Sequence, residues 1–240
     1  MKRAAARRLR DFYSHLVQAY GPQHWWPAKS AFEVVIGAYL TQNTAWTSVE
    51  KSIANLATRG LLCVAAIRAL PEDELRELIR PSGYMTRKAA AIKAFVGFLD
   101  SFYDGSLENL ADEVPEIARE RLLALPGVGP ETADAILLYA LGHPALVVDE
   151  YLRRVATRHG LVATQAKYGE IQALGEAVFA DDSPAERVSH CNELHALIVE
   201  VGKRHCRRKP VCDGCPLAWD LSRQPRHTAG VPGVRHGVPT

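Results

Sequence analysis

Two glycines two positions apart mark the segment best suited to bind an anion. They are Gly127 and Gly129 in LPGVGPETA, residues 125–133, and Val128 lies between them. Glycine tolerates positive φ and close backbone approach, and this segment is expected to join two helices. The N–H groups of its turn and of the next helix's first turn then point outward together. This arrangement suits a DNA phosphate, although a helix cap alone would explain one of the glycines.

A carboxylate follows this turn. Asp149 lies twenty positions after Gly129, directly after Val147 and Val148 and before an expected helix. Aspartate is common as a helix N-cap, so one interpretation is purely structural. The other is a carboxylate held in a cleft opposite the hairpin. The pattern leaves both interpretations open.

Three of the five cysteines lie within ten residues, which indicates a metal or cluster site. Their spacing is Cys206-x5-Cys212-x2-Cys215. An odd number of cysteines argues against a disulfide framework. Cys63 lies in an apolar stretch and is expected in the core. His195 has apolar helical neighbours and is expected to be structural.

Basic residues are concentrated in two short stretches, although the formal net charge is only +2. Residues 1–10 and 203–209 each carry five basic residues and no acid, and the second stretch contains Arg207 and Arg208. The rest of the chain has 19 basic and 27 acidic residues. Such patches suit a polyanion such as nucleic acid. Two solvated helix ends would give the same pattern.

The elements that must position these residues are helices. Apolar residues recur at helical spacing along most of the chain, and the strand-like run 146–148 is too short to found a sheet. The predicted fold is therefore all-α. The predicted helices span residues 3–20, 30–41, 44–58, 72–80, 86–103, 115–124, 131–141, 150–159, 168–180 and 190–205. The tail 223–240 is rich in Pro, Gly, His and Arg and is predicted to be flexible.

The composition is that of an ordinary globular protein. The chain has 240 residues, of which 48% are hydrophobic and 23% charged, and this argues against a disordered or fibrous protein. No apolar run reaches the roughly 18–20 residues that a membrane-spanning helix needs. The basic N-terminus lacks the apolar core of a secretory signal. We therefore expect a cytoplasmic protein with no membrane partner.

Several segments together resemble the endonuclease III superfamily of helix-hairpin-helix DNA glycosylases. The similarity spans about residues 25–217, and the closer resemblance is to the monofunctional, endonuclease III-like 3-methyladenine DNA glycosylases. The segments are LPGVGPETADAILLYALGHPALVVDEYLRRVATRHG (125–160), LTQNT (40–44), GYMTRKA (83–89), WWP (25–27) and the cysteine-bearing end.

The resemblance implies two helical lobes around a cleft. Residues 31–147 would form a barrel-like lobe that carries the hairpin. Residues 1–30 and 148–222 would form the second lobe, which includes the cysteine-rich loop. Asp149 would be the catalytic aspartate.

The LTQNT segment would contact DNA by the same resemblance. Gln42 would occupy the gap left in the duplex, with Asn43 and Thr44 near the strand. A capping role is the alternative for Thr44. The implied partner is double-stranded DNA that contains damaged bases. The protein is expected to bind it as a monomer and to associate with the bacterial nucleoid through DNA.

Glu131 marks a departure from endonuclease III itself. That enzyme carries a lysine two residues after the second hairpin glycine, and this lysine attacks the sugar to form a Schiff base. A carboxylate cannot form an imine, so the resemblance implies base removal alone, by water attack at C1′. Asp149 would stabilise the oxocarbenium-like sugar and orient or deprotonate the water. Glu131 is either a second acid at the pocket mouth or an ordinary first-turn glutamate.

Three tryptophans are the candidates for stacking on a base turned out of the duplex. They are Trp25, Trp26 and Trp46. N-alkylated purines carry positive charge, and an indole face attracts a cation by about 0.5–2 kcal/mol. Such bases are also good leaving groups, so strong acid catalysis is not required. The alternative is that one or more of these rings packs in the core.

The cysteine loop departs from the family as well. Endonuclease III relatives hold a 4Fe–4S cluster with four cysteines spaced x6, x2 and x5, whereas this chain has x5 and x2 and then none. Cys191 lies fifteen residues before Cys206, about 22 Å along a helix, and is a poor fourth ligand. His205, Ser222 and His227 are weak substitutes. A cluster, a Cys3His zinc site and a metal-free remnant stay open, and base removal requires no cofactor.

Two other functions remain open at this point. One is a catalytically inactive module that binds DNA structure through the hairpin alone. The other is a glycosylase for mismatched, deaminated or oxidised bases. The presence of Asp149 together with the tryptophans disfavours the first, and the sequence does not exclude the second.

Overall fold

The structure, a computed structural model, describes residues 2–222, and these form α-helices and one 3₁₀ turn without any β-strand. The helices are α1 (Lys2–Tyr20), α2 (Ala31–Thr41), α3 (Trp46–Thr58), α4 (Val64–Ala69), α5 (Glu72–Leu78), α6 (Met85–Phe102), α7 (Leu107–Ala111), α8 (Pro115–Leu123), α9 (Pro130–Tyr139), α10 (Glu150–Arg158), α11 (Tyr168–Val178), α12 (Pro184–Arg204) and α13 (Ala218–Ser222). The 3₁₀ turn Arg80–Ser82 lies between α5 and α6. The all-α prediction is confirmed.

Each of the ten predicted helices is present, with its ends shifted by a few residues. The largest shift is at α12, which begins six residues early because a capping box starts it. There the Ser183 hydroxyl accepts the N–H of Glu186, and the Glu186 carboxylate accepts the N–H of Ser183 at 2.9 Å. The short helices α4, α7 and α13 were not predicted, since five or six residues are too few to show a periodic apolar pattern.

The helices pack in two groups. In one, α2 packs against α3, α6 and α9, and α8 packs against α9. In the other, α1 packs against α11 and α12, and α10 packs against α12. Contacts between α9 and α12 join the groups. The lobe boundaries (31–147, and 1–30 with 148–222) stay a prediction, and the predicted flexible tail 223–240 lies outside the described residues. Within residues 2–222, no helix has both the length and the apolar character needed to cross a bilayer.

Gly127 makes the turn between α8 and α9 possible. Its φ of +77° is in the left-handed region, which glycine adopts without the steric cost of a Cβ. The turn closes through the N–H of Val128, which donates to the carbonyl of Leu125 at 3.2 Å. Pro130 then occupies the first turn of α9, where a missing N–H costs nothing.

A second glycine sets the distance between α10 and α12. A Cβ on Gly202 would lie 2.2 Å from Cδ1 of Tyr151, so only glycine permits this approach. Gly202 and His195 are seven residues apart on α12 and therefore share a face. The close packing thus brings the N-terminus of α10, which begins directly after Asp149, next to His195.

Candidate active site

Asp149 caps a helix through one carboxylate oxygen and leaves the other beside His195. It is the N-cap of α10, and its Oδ1 accepts the N–H of Leu152 at 2.7 Å. Its Oδ2 lies 3.6 Å from Nε2 of His195, and the Asp149 side chain is 12% exposed. The two sequence interpretations are therefore compatible, because each uses a different carboxylate oxygen.

Glu131 lies close enough to Asp149 for their charges to interact. It sits in the first turn of α9 and keeps solvent contact. Partial desolvation of its carboxyl group raises the pKa of Glu131, and the negative charge of Asp149 raises it further. His195 lowers this pKa, and Glu150 adds a smaller increase. Acidic groups thus gather at the mouth of the site, while the first-turn position also satisfies the dipole of α9.

The three predicted tryptophans form one aromatic wall together with two further rings. Trp26 lies 5.5 Å from Trp46, edge to face, and 5.2 Å from Tyr139. Trp25 lies 5.3 Å from His195 and 6.3 Å from Tyr139, both edge to face. All three indoles are half-buried. None of the three indoles is fully buried. His195, which is part of the wall, lies next to Asp149.

A cavity of about 340 Å³ opens beside this wall. It combines aromatic and aliphatic surface with a few polar groups. Its lining residues are Trp25, Trp26, Ala28, Lys29, Ser30, Ala31, Val34, Leu138, Tyr139 and Asn192. Trp46, Glu131 and Asp149 are not among them. The cavity is thus lined by Trp25, Trp26 and Tyr139 of the wall but by neither acidic group.

Gln42 connects the LTQNT segment to the hairpin. Its Nε2 donates to the carbonyl of Gly127 and to Oγ1 of Thr132, each at 2.9 Å. Asn43, the next residue, is exposed and has a φ of +51°. The Gln42 side chain is thus held on the hairpin in the free protein.

Thr44 serves a structural purpose through its hydroxyl. This group lies 2.7 Å from the carbonyl of Ser82 and accepts a hydrogen bond of 2.7 Å from the Lys88 ammonium. Thr44 does not cap α3, whose N-cap is Ala45. The capping alternative is therefore wrong in detail, although the role is structural. No described contact directs this hydroxyl outward.

Lys88 is buried beneath this segment. Its ammonium also donates to the carbonyls of Leu40 and Ser82, each at 2.8 Å. With only neutral acceptors around it, desolvation lowers the pKa of Lys88 to about 8. Beside it, Tyr84 is the N-cap residue of α6, has a left-handed backbone conformation and is 62% exposed. The turn around Ser82 thus presents an aromatic ring close to the LTQNT segment.

The hairpin presents backbone rather than side chains. Within the described part of the chain, the N–H groups of Gly127 and Gly129 have no hydrogen-bond partner. A Cβ on Gly129 would meet nothing within 4 Å. Val128 differs, because its side chain is in the core and its N–H is used within the turn. The two glycines are therefore the positions where an anion can approach the main chain.

Residues 36–180 match the HhH-GPD superfamily of base excision DNA repair proteins. The chain belongs to this superfamily. A curated relative from Methanocaldococcus jannaschii, "Putative DNA repair glycosylase MJ1434", is 43% identical over 219 residues, covering 90% of this chain and 97% of the relative. Endonuclease III of Thermotoga maritima is 32% identical over 187 residues, covering 78% and 80%.

A solved structure of the same fold is that of the H. pylori 3-methyladenine DNA glycosylase MagIII bound to 1,N6-ethenoadenine. It superposes with a TM-score of 0.71 at 29% identity and covers 83% of this chain and 97% of that one.

In this HhH-GPD chain the cysteine loop is held by arginines of α10. The guanidinium of Arg158 donates to Sγ of Cys206 at 3.2 Å, and to the carbonyls of Arg207 at 2.6 Å and Arg208 at 3.0 Å. Arg154 donates to the carbonyl of Cys206 at 3.0 Å. The side chains of Arg207 and Arg208 stay exposed.

The donor set of the loop does not fit a four-thiolate cluster. Cys206 is buried, Cys215 half-buried and Cys212 exposed. In the part of the chain that the structure describes, no three His, Cys, Asp or Glu side chains are grouped to hold a metal ion. His205 directs Nδ1 to the carbonyl of Val211 at 3.1 Å. The other candidate ligands, the Ser222 side chain and His227, lie outside the described residues.

Further residues near the site were not recognised from sequence. The buried carboxylate of Asp134 binds Arg119 and Gln172 and accepts a hydrogen bond of 2.7 Å from Tyr168. The Tyr168 oxygen in turn accepts the N–H of Val148 at 3.2 Å, one residue before Asp149. No spacing pattern connects Asp134 to its partners, because they come from two other helices, α8 and α11. The expectation for Cys63 was wrong, since it is exposed at the N-cap of α4.

Proposed function

We propose that this protein is a monofunctional DNA glycosylase that hydrolyses the N-glycosidic bond of damaged bases, chiefly alkylated purines, in double-stranded DNA. The observation that carries the proposal is that the two carboxylate oxygens of Asp149 have different surroundings. One oxygen caps α10, and the other is sheltered and faces the aromatic wall. Membership of a base excision repair superfamily supports a role in DNA repair.

The reaction needs one carboxylate and one water molecule. As the C1′–N bond breaks, the base leaves with the bonding electrons and the sugar acquires oxocarbenium character. The carboxylate of Asp149 stabilises that positive charge, and a sheltered position strengthens the interaction. Water then adds at C1′ and transfers its proton to Asp149. An N-alkylated, cationic purine departs as a neutral base and requires no proton from the protein.

Glu131 argues for hydrolysis without strand cleavage. It occupies the position of the lyase lysine in endonuclease III, and a carboxylate has no amine to form an imine with the sugar. Its negative charge, together with that of Asp149, favours a cationic base at the pocket mouth.

Substrate choice rests on the three indoles of the aromatic wall. Indole faces attract a positively charged ring more strongly than a neutral one, and Trp25, Trp26 and Trp46 are all accessible at the wall. The similarity to MagIII, a 3-methyladenine DNA glycosylase, supports the same class of base.

DNA is engaged by backbone and by polar side chains. The unpaired N–H groups of Gly127 and Gly129 bind a phosphate, and the exposed side chains of Arg207 and Arg208 bind others. Gln42 leaves the hairpin and fills the space of the extruded nucleotide, beside Asn43. The protein does this as a monomer.

The test is a panel of duplexes carrying 3-methyladenine, 7-methylguanine, hypoxanthine, uracil, thymine glycol or a G·T mismatch. Each is incubated with the protein and analysed with and without alkali, and in parallel with borohydride. We expect abasic sites at alkylated purines that break only after alkali, and no trapped adduct. The Glu131→Gln variant is the matched control and should also give no adduct. A robust adduct, or release of neutral bases alone, would contradict the proposal.

A further inference from the structure

His195 bridges the aromatic wall and the carboxylate. It lies on α12 and is 6% exposed. Its Nδ1 is 2.6 Å from the hydroxyl of Tyr139, and its Nε2 is 3.6 Å from Oδ2 of Asp149. Both ring nitrogens therefore face named partners on α9 and at the start of α10. A histidine that only packs in the core would not need the proposed catalytic carboxylate of Asp149 beside its Nε2.

The neighbours determine which nitrogen carries the proton. The surrounding protein, and then the charge of Asp149, raises the pKa of Tyr139 well above its ordinary value, so its hydroxyl stays protonated. That hydroxyl can donate to Nδ1, which leaves the Nε2–H directed at the carboxylate. The opposite tautomer would place the lone pair of Nε2 against a negative oxygen. In either charge state of the ring, Nε2–H therefore faces Asp149.

The two oxygens of Asp149 are thereby held by different groups. Oδ1 is bound to the N–H of Leu152 at 2.7 Å, which leaves rotation about the Cβ–Cγ bond as the main freedom of the carboxylate. A donor on the other side restricts that rotation. The 3.6 Å separation is longer than a direct hydrogen bond, and catalytic contacts often shorten when the substrate binds.

We propose that His195 is a positioning residue for base release: its Nε2–H, oriented by Tyr139, holds Oδ2 of Asp149 toward C1′ of the extruded nucleotide. The inference rests on the proposed function. It assigns no substrate contact to His195 or Tyr139, and it predicts that both act only through Asp149.

The experiment compares single-turnover base release, DNA affinity and thermal unfolding for three variants. His195→Leu removes the donor, and His195→Gln keeps an N–H near the position of Nε2. Tyr139→Phe keeps the ring packing and removes the hydroxyl. We expect His195→Leu to slow release about tenfold to a hundredfold, the loss typical of one hydrogen bond to a charged group. His195→Gln should restore most of the rate, and DNA affinity should be unchanged in all three.

A double-mutant cycle decides between positioning and general destabilisation. In an Asp149→Asn background, His195→Leu and Tyr139→Phe should cause no further loss of rate. The matched control is His159→Leu, because His159 is also 6% exposed and pairs with a carboxylate, Asp220, at 2.8 Å. It should lower thermal stability without slowing base release.

Three results would overturn the inference. They are additive losses in the cycle, equal slowing by His159→Leu, and failure of His195→Gln to recover activity while folded. If His195→Leu does not fold, Tyr139→Phe and His195→Gln carry the same comparison. Failure of the proposed function is distinct: the natural protein itself would then release none of the damaged bases.

Discussion

Replacing Asp149 with asparagine separates the two roles of its carboxyl group. Oδ1 caps α10 through the N–H of Leu152 at 2.7 Å, while Oδ2 faces His195. An asparagine amide oxygen can accept the same N–H, and asparagine caps helices about as well as aspartate. We expect the free energy of unfolding of Asp149→Asn to stay within about 0.5 kcal/mol of the natural value.

The loss of charge should instead reduce the rate. A carboxylate about 4 Å from a positive sugar contributes about 4 kcal/mol at an effective dielectric constant of ~20. Removing one preorganised stabiliser typically slows catalysis by about 10²–10³-fold. We therefore expect Asp149→Asn to slow base release by about 10²-fold or more, with DNA affinity unchanged. Asp149→Ala should add a stability loss of about 0.5–2 kcal/mol, because it also removes the cap.

The assay is single-turnover release from a duplex with one alkylated purine, quantified after alkali cleavage. Thermal unfolding is followed by circular dichroism on the same samples. Release at close to the natural rate by Asp149→Asn, combined with a destabilised Asp149→Ala, would refute the reasoning. Asp149 would then be a helix cap, and the catalytic acid would lie elsewhere.

Four further predictions concern the hairpin, the basic loop, the buried lysine and the cysteines. Gly129→Ala should weaken binding to all DNA sequences without loss of stability, since its Cβ meets nothing in the protein, whereas Gly127→Ala should also cost about 1–2 kcal/mol of stability because of its positive φ. If Gly129→Ala binds DNA with unchanged affinity, the backbone at Gly129 does not contact DNA. Replacing Arg207 and Arg208 with alanine should lower the slope of log affinity against log salt by up to about one unit per lost phosphate contact; an equal slope would exclude this patch from the interface. The pKa of Lys88 is lowered from 10.5 to about 8, so above pH 8 the unfolded chain binds more protons than the folded chain. The unfolding free energy of the natural protein relative to Lys88→Met should therefore rise by up to about 3 kcal/mol between pH 8 and 10.5, and a flat difference would contradict the burial of a charged amine. Protein purified without oxygen should be colourless and contain far fewer than four irons per chain, and four irons would show that a ligand beyond the three cysteines completes a cluster.

Local chemistry was predictable from the sequence where neighbouring residues determine it. The turn at Gly127 follows from glycine's access to positive φ, and Asp149 at a helix start follows from its capping preference. The replacement of a lysine by Glu131 needs only the register of the hairpin. The short helices α4 and α7 were not predictable in this way, because they are stabilised by packing on their neighbours rather than by an internal repeat.

Individual side chains were harder to place. Val128 shares the hairpin with two glycines, yet its side chain packs in the core. Cys63 has apolar neighbours in sequence, yet it is exposed. Thr44 has the residue type of a cap and instead binds a buried lysine. In each case the burial of the side chain depends on which helix covers it, and that is set by distant parts of the chain.

The sequence by itself determined the helical class, the hairpin, the carboxylate at position 149 and the absence of a lysine at position 131. Each depends on backbone preferences and spacing within a few turns. Only the tertiary structure decided that Gln42 rests on the hairpin and that His195 lies between Tyr139 and Asp149. These contacts join residues far apart in the chain, and the one between His195 and Asp149 also needs Gly202, which lets α10 approach α12. Packing between helices therefore assembles the site from groups whose separate sequence patterns show no relation to one another.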